Sequence, residues 1–182
     1  MSVRPVRLYG DPVLRQKALP VAGVDDTVRE LVADMRETME AYHGVGLAGN
    51  QVGVLQRVLV VDVPVDAQTR VRCALINPVL DQKSGSESGE EGCLSIPGLY
   101  EEVKRAERVR VRALDEHGQP VEFVAEGYLA RALQHEVDHL DGVLFVDRLS
   151  MLKRRFLRPR LEAIARGELP GDAHPSETRS LS

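Results

Sequence analysis

One stretch of the chain, residues 126–142, has apolar residues at a helical period. Spacings of four, four and three residues separate the members of this stripe, which are Leu129, Leu133, Val137 and Leu140. His135 and His139 are also four residues apart, so one lies above the other on a different face of the helix. Glu136 falls between the two faces, where water has poor access. The pattern predicts a core-facing helix that ends near Gly142.

Hydrophobic patterning predicts further elements on both sides of this central helix. We expect a helix over residues 26–42, and strands over residues 58–63, 71–77, 108–114 and 121–125. Residues 82–90 are rich in Ser, Gly and Glu and predict a flexible connection. Residues 149–166 predict a final helix that is interrupted near Pro159. The order predicts an α+β fold in which antiparallel β-sheets pack around the central helix, with an N-terminal helix and a C-terminal helix.

Length and composition predict one domain. A chain of 182 residues with 43% hydrophobic content can bury one good core, which we assign to residues 1–166. Residues 167–182 are rich in Pro, Ser, Gly and Glu and predict a disordered tail. The net charge of −4 argues against DNA as a partner. No apolar run has the roughly 20 residues of a membrane span, and the first residues lack a secretory signal. We therefore expect a cytoplasmic protein.

The central helix carries the pattern H-E-x-x-H at His135, Glu136 and His139. In this pattern the two imidazoles bind a metal ion, and the glutamate accepts and donates protons during catalysis. An amphipathic helix with two surface histidines that bind no metal could have the same sequence pattern. A third protein ligand would distinguish a metal site from such a helix. One extended form of the pattern has a third histidine where this chain has Phe145, which cannot bind metal. The other downstream candidates lie in a basic segment or in the tail: Glu162, Glu168 and His174.

Cys93 is the upstream candidate for a third ligand. A free cysteine is most often a small buried hydrophobe, and Cys73, inside a predicted strand, fits that description. Cys93 fits it less well because its neighbours, such as Glu91 and Gly92, are acidic or glycine. A thiolate and two imidazoles make a complete three-ligand set, and metal binding would deprotonate the thiol.

A second candidate stretch is the glycine-rich loop of residues 44–53. It lacks the spacing of a phosphate-binding loop. Gln51 in this loop carries an uncharged amide donor, which could stabilise a developing oxyanion. Gln51 could equally be a turn residue that bonds to the backbone.

Three stretches together, in order and spacing, resemble the signature motifs of the peptide deformylase family. They read GVGLAGNQ over residues 44–51, EGCLS over residues 91–95 and HEVDH over residues 135–139. The resemblance extends from about Pro5 to Arg166. It implies a hydrolase that removes the formyl group from the N-terminal formyl-methionine of newly synthesised polypeptides and releases formate.

The resemblance also implies a role for each motif residue. One divalent metal ion, with water in its fourth position, would be held by Cys93, His135 and His139. The family implies Fe(II) as the native ion, with Zn(II), Ni(II) or Co(II) as alternatives. Glu136 would take a proton from the water and later deliver one to the departing amine. Gln51 and the backbone N–H of Leu94 would donate hydrogen bonds to the oxyanion.

The same resemblance implies how N-formyl-methionyl nascent peptides bind. Gly46 and Gly92 would let the substrate backbone lie alongside the protein as an added strand. Val45 and Tyr128 would form walls of the methionine pocket, together with the His135 imidazole.

The first motif departs from the family pattern, which usually has alanine and proline where this chain has Gly49 and Asn50. Glycine adds flexibility and the loss of proline frees the backbone before Gln51, so we expect either a less preorganised amide or a loop rebuilt elsewhere. The three ligands, Glu136 and Gln51 are all present, which predicts an active enzyme.

Two other protein classes remain open from the sequence. An H-E-x-x-H peptidase would need a downstream third ligand and would cut internal peptide bonds. A non-catalytic metal-binding or nascent-chain-binding module would require Gly49 and Asn50 to disable the loop. Separately, residues 153–160 form a basic cluster, which is either a solvated helix face or a contact with ribosomal RNA.

Overall fold

The computed structural model describes residues 2–170, which form three α-helices and two antiparallel sheets. The helices are α1 (Asp26–Ala41), α2 (Gly127–Leu140) and α3 (Met151–Ala165). The strands are β1 (Gly46–Ala48), β2 (Val58–Pro64), β3 (Arg70–Ser84), β4 (Glu87–Cys93), β5 (Ile96–Arg105), β6 (Arg108–Leu114) and β7 (Pro120–Glu126). The predicted α+β fold, with N-terminal and C-terminal helices and a central helix that carries H-E-x-x-H, is confirmed.

A five-stranded sheet forms the centre of the molecule, in the order β1-β2-β3-β6-β7. Its strand β2 is covered on both faces, which explains why the sequence of β2 is a continuous apolar run. Val58 and Val60 pack in a cluster with α1, whereas Leu59 and Val61 pack in a cluster with α2. The sheet therefore separates α1 from α2, and α2 lies against β1 and β2.

The strands β4 and β5 form a separate two-stranded hairpin. A third apolar cluster joins this hairpin to the C-terminal part of the chain through Ile96, Leu99, Phe145, Leu161 and Ile164. The hairpin is thereby fixed beside α2, and its tip carries Cys93.

The predicted flexible connection over residues 82–90 is wrong. Strand β3 continues to Ser84 and β4 begins at Glu87, so the break between them is short. Pairs from Glu87↔Arg105 to Cys93↔Ile96 connect β4 to β5. The backbone of β5 supplies the hydrogen bonds that the composition of this stretch does not reveal.

The predicted interruption of the last helix near Pro159 is also wrong, because α3 runs through it. A proline inside a helix costs about 3 kcal/mol. Burial of Leu161 and Ile164 on the far side of it contributes about 3–6 kcal/mol, which is enough to hold the helix together.

The predicted disordered tail covers residues 167–182. Residues 171–182, which include His174, lie outside the described residues, so the disorder of the tail stays a prediction. Within the described residues, no helix has the length and apolar character needed to cross a membrane.

Candidate metal centre and active site

Helix α2 and the β4–β5 hairpin bring three metal-ligating side chains together. His135 and His139 are one helical turn apart on α2, and Cys93 is the last residue of β4 before a two-residue turn. The Cys93 Sγ lies 3.2 Å from His139 Nε2, and His139 Nε2 lies 3.2 Å from His135 Nε2. Within residues 2–170, this is the group of three His, Cys, Asp or Glu side chains that could hold a metal ion, with ligand atoms within 4.8 Å of one another.

The geometry of this group fits one metal ion. Ligand bonds of about 2.0–2.3 Å at tetrahedral angles put neighbouring donor atoms about 3.3–3.6 Å apart, close to the observed separations. His135 and His139 are both buried, and the Nε2 atom of each ring faces the ligand group. The thiolate and two imidazoles leave a fourth position open, as a catalytic site requires.

Glu91 orients one of the two imidazoles. Its Oε1 lies 2.8 Å from His135 Nδ1, which leaves Nε2 of that ring free to face the site. Glu91 and Cys93 are two residues apart on β4, and both side chains contact α2, Glu91 at His135 and Cys93 at His139. Glu91 belongs to the second signature motif, but sequence reasoning missed its contact with His135.

Two buried arginines hold Glu91 in place. Arg105 donates to both carboxylate oxygens at 2.9 Å, and Arg131 donates to Oε2 at 2.8 Å. Burial opposes ionisation of Glu91, but the hydrogen bonds from Arg105 and His135 outweigh it and lower its pKa to about 2. Arg105 also contacts Asp138 on α2, at 2.5 Å. Arg131 lies one turn before His135 on the same face of α2. This four-residue spacing is the feature of the sequence that could have predicted that Arg131 belongs to the network.

The two imidazoles have different pKa shifts in the metal-free protein. Burial lowers the pKa of His139, and the charges of His135 and Arg105 lower it further. Burial also disfavours the charged form of His135, but hydrogen bonds to Cys93 and Glu91 reverse the effect and raise its pKa. A metal bound to His135 must therefore displace a proton.

Glu136 lies beside the ligand group as the sequence predicted, poorly exposed to water. Its side chain is buried, and Oε2 has no hydrogen-bond partner among residues 2–170. Burial raises the pKa of Glu136 to about 7, which suits a group that accepts and returns a proton near neutral pH. Gly46 passes over this carboxylate so closely that a Cβ at Gly46 would overlap Glu136 Oε1.

Gln51 makes both kinds of contact that the sequence left open. Its Oε1 accepts a hydrogen bond from the backbone N–H of Ala48 at 2.9 Å, as a turn residue does. Its Nε2 lies 3.2 Å from Ser95 Oγ and 3.6 Å from Cys93 Sγ, so the amide donor faces the ligand group. Leu94 and Ser95 form the turn between β4 and β5, which places Leu94 directly after Cys93.

The other four candidate residues, Val45, Gly46, Gly92 and Tyr128, differ in burial. Gly46 lies in β1, at the edge of the five-stranded sheet, and Val45 is half-buried just before it. Gly92 lies under the ring of Tyr100, where a Cβ would collide with the ring carbons. Tyr128 is 46% exposed at the start of α2. β1 is the edge strand of that sheet, the kind of position at which a further strand can pair.

Comparisons with known proteins agree with the three motifs. A sequence model of the polypeptide deformylase family matches residues 3–155. The chain is 53% identical over 166 residues to the peptide deformylase of Alkalilimnicola ehrlichii, an alignment that covers 91% of this chain and 93% of that protein. The chain belongs to the polypeptide deformylase family. A further member, the peptide deformylase of Acidothermus cellulolyticus, is 44% identical with both chains fully covered.

Solved deformylase structures share the fold described above. The crystal structure of peptide deformylase from Thermus thermophilus is 47% identical with a TM-score of 0.83, and covers 91% of this chain and 99% of that chain. The Ehrlichia chaffeensis enzyme in complex with actinonin is 39% identical with a TM-score of 0.85, and covers 92% of this chain and 99% of that chain.

Deformylases are metal-dependent hydrolases that remove the formyl group from the N-terminal formyl-methionine of nascent peptides, and the predicted enzyme class and reaction are confirmed. The rival peptidase interpretation needed a downstream ligand. Glu162 lies in α3 and Glu168 just after it, and neither joins the ligand group. Membership of the deformylase family, together with the candidate group of Cys93, His135 and His139, favours deformylation over the peptidase interpretation.

Proposed function

We propose that one divalent ion is held by Cys93, His135 and His139, and that Glu136 moves the protons of deformylation. The observation that carries this proposal is the convergence of the three ligand atoms beside a buried carboxylate with an unpartnered oxygen. We assign this activity to residues 1–166 as a single catalytic domain.

Glu136 accepts a proton from the attacking water and later delivers a proton to the departing amine. Its burial supports this role, because a carboxylate with a pKa of about 7 can do both near neutral pH. The bound ion would supply Lewis acidity at the site. The hydrolysis balances as one N-formyl amide and one water giving one protonated amine and one formate.

Gln51 and the backbone N–H of Leu94 donate hydrogen bonds to the oxyanion that forms during attack. The position of Gln51 Nε2, 3.6 Å from Cys93 Sγ, supports the first donor. The place of Leu94 in the turn directly after Cys93 supports the second. Removal of one such donor slows catalysis roughly 100- to 1000-fold in enzymes of this kind.

The substrate backbone adds as a strand along Gly46 and Gly92, and this mode tolerates varied residues after methionine because it uses main-chain hydrogen bonds. The edge position of β1 supports this arrangement. Val45 and Tyr128 line the methionine pocket, and the partial exposure of Tyr128 is consistent with a pocket wall.

Fe(II) is the native ion in this proposal, while Zn(II), Ni(II) or Co(II) can occupy the same ligands. A set of one thiolate and two imidazoles accepts several of these ions, so the donor atoms alone do not select one. Loss of activity in air, through oxidation of iron or Cys93, would distinguish Fe(II) from Zn(II).

The partners are N-formyl-methionyl nascent peptides in the cytoplasm, and we propose that residues 153–160 contact the ribosome. Lys153 pairs with Glu101 and Arg154 with Asp147. Arg155 and Arg158 are exposed and have no ion pair among the described residues. Replacing both of these by glutamate should abolish salt-sensitive co-sedimentation with ribosomes, and unchanged sedimentation would contradict the proposal.

Formate release from a short formyl-methionyl peptide tests the assignment of the site. The assay is run without oxygen, with bound metal measured in the same samples. Glu136→Ala should lose formate release while keeping its metal, whereas Cys93→Ala should lose the metal as well. A Cys93→Ala variant with full metal content would rule out this ligand set.

A further inference from the structure

The turn that carries Gln51 is fixed by the residue before it. Gly49–Val52 forms a single 3₁₀ turn, and all four of its residues are buried. Asn50 Nδ2 donates to the backbone carbonyl of Gln16 at 2.6 Å. Asn50 Oδ1 has no partner within residues 2–170, so the bond to Gln16 is the side-chain contact that fixes this amide. We infer that Asn50, together with Gly49, is a positioning residue that holds Gln51 in place.

Gly49 allows the next loop to close against the same turn. A Cβ at Gly49 would lie 2.7 Å from the carbonyl oxygens of both Val54 and Gln56, which is too close for any side chain. The Val54 N–H also donates to the Gly49 carbonyl at 2.9 Å. Gln56 in turn forms a bridge with Leu19, three residues beyond Gln16. The loop after Gln51 and the N-terminal segment therefore pack around the turn together.

The N-terminal segment also connects Gln51 to the cysteine stretch. The Arg7 N–H donates to the backbone carbonyl of Gln51 at 2.7 Å, and the Tyr9 N–H donates to the carbonyl of Ser95 at 2.8 Å. Residues 7–16 thus hydrogen-bond to two backbone segments, the one that carries Gln51 and the one that carries Cys93 and Ser95. The Gln51 Nε2 atom spans the distance between these two segments. The bond from Asn50 to Gln16 is the side-chain link at the far end of this segment.

This inference rests on the proposed role of Gln51 as an oxyanion donor. The flexibility that glycine and asparagine give the loop by themselves is removed by contacts with segments distant in sequence. Loss of the Asn50 amide would leave the Gln16 carbonyl without this donor and free the turn. A displacement of about 1 Å in a positioned catalytic group can cost about 100-fold in rate.

A double-mutant cycle tests whether Asn50 acts through Gln51. We expect Asn50→Ala to lower kcat for formate release by about 10- to 100-fold, with KM changed by less than about 3-fold. In a Gln51→Ala background, Asn50→Ala should lower kcat by less than about 2-fold more, because the positioned group is already absent. Asn50→Ser is the milder variant if Asn50→Ala folds poorly.

Asn77→Ala is the matched control. Asn77 also links a side-chain amide to the N-terminal segment, through two hydrogen bonds of 2.8 and 2.9 Å with the backbone of Val21. It lies on β3, and it makes none of the contacts that fix Gln51. This variant should lower the thermal midpoint without lowering kcat.

A spectroscopic readout separates positioning from general loosening. In the cobalt-loaded protein, Gln51→Ala should shift the thiolate-to-cobalt charge-transfer band, because the donor 3.6 Å from Cys93 Sγ is lost. Asn50→Ala should shift the band in the same direction, and Asn77→Ala should leave it in place.

The outcomes distinguish the inference about Asn50 from the proposed role of Gln51. An equal loss of kcat on Asn50→Ala with and without Gln51 would overturn the inference while leaving the role of Gln51 intact. A charge-transfer band that does not shift in Asn50→Ala would also overturn the inference while leaving the role of Gln51 intact. If Gln51→Ala itself leaves kcat unchanged, the proposed oxyanion donor is wrong and the inference falls with it.

Discussion

Replacement of Glu91 by glutamine removes a buried negative charge at a point where three other groups depend on it. Glu91 accepts hydrogen bonds from Arg105 and Arg131, and its Oε1 lies 2.8 Å from His135 Nδ1. Glutamine has the same shape, so packing is preserved. Its amide nitrogen, however, presents hydrogens to arginines that themselves only donate.

The expected loss of stability can be worked out in two ways. The pKa of Glu91 falls from an ordinary 4.5 to about 2, which corresponds to about 3 kcal/mol of folding free energy. Because the folded-state pKa is the lower one, this contribution is complete above pH 4.5 and is lost as the pH falls towards 2. Breaking a buried ion pair by removing one partner costs about 3–5 kcal/mol, so the two values agree.

Metal affinity should fall as well, since loss of a group that orients a ligating histidine typically costs about 10- to 100-fold. Urea unfolding at pH 7 of metal-free protein measures the first effect, and competition with a chelator measures the second. Asp81→Asn is the matched control. Asp81 also bridges two arginines, Arg110 and Arg112, but at the protein surface.

Solvent screens the Asp81 pairs, so Asp81→Asn should destabilise the protein much less than Glu91→Gln and leave metal affinity unchanged. The reasoning would be refuted if the two variants had equal unfolding free energies. It would also be refuted if Glu91→Gln bound metal as tightly as the wild type, because His135 would then not depend on this carboxylate.

Two further predictions concern Gly46 and Cys73. Gly46→Ala places a Cβ 2.8 Å from Glu136 Cδ, so kcat should fall at least about 10-fold with bound metal unchanged, and unaltered formate release would show that the carboxylate can move aside. Burial raises the pKa of the Cys73 thiol to about 11, so at pH 8 roughly 0.1% is thiolate. Iodoacetamide followed by peptide mass spectrometry should leave Cys73 unmodified at pH 8, and rapid labelling there would contradict the raised pKa of this thiol.

Sequence patterning was sufficient to predict α2 and the placement of its side chains, because local spacing determines which face of a helix each residue occupies. The four-residue interval of His135 and His139 places both rings on one face, and the same arithmetic gave a poorly solvated position to Glu136. A helix carries this information within its own turns, so no knowledge of distant contacts was required.

The network around Glu91 could not be predicted in the same way, because it depends on how β4 pairs with β5. The stretch before Cys93 is rich in Ser, Gly and Glu, which made it resemble a loop. Its strand character comes from backbone bonds to β5. In that register Arg105 lies opposite Glu87, and its long side chain reaches the Glu91 carboxylate. Residues fourteen positions apart have no spacing rule that would connect them in advance.

Gly49 and Asn50 show the limit of local reasoning most directly. Taken alone, a glycine and the absence of a proline predict a looser backbone before Gln51. In the folded chain, the missing side chain at Gly49 is what lets the carbonyls of Val54 and Gln56 approach, and the amide of Asn50 reaches a carbonyl 34 residues earlier. The two residues that add freedom to the unfolded chain therefore permit contacts that restrict the folded one. Gly49→Ala, which restores the residue usual in the family, should accordingly lower both stability and kcat, and a gain in either would contradict this account.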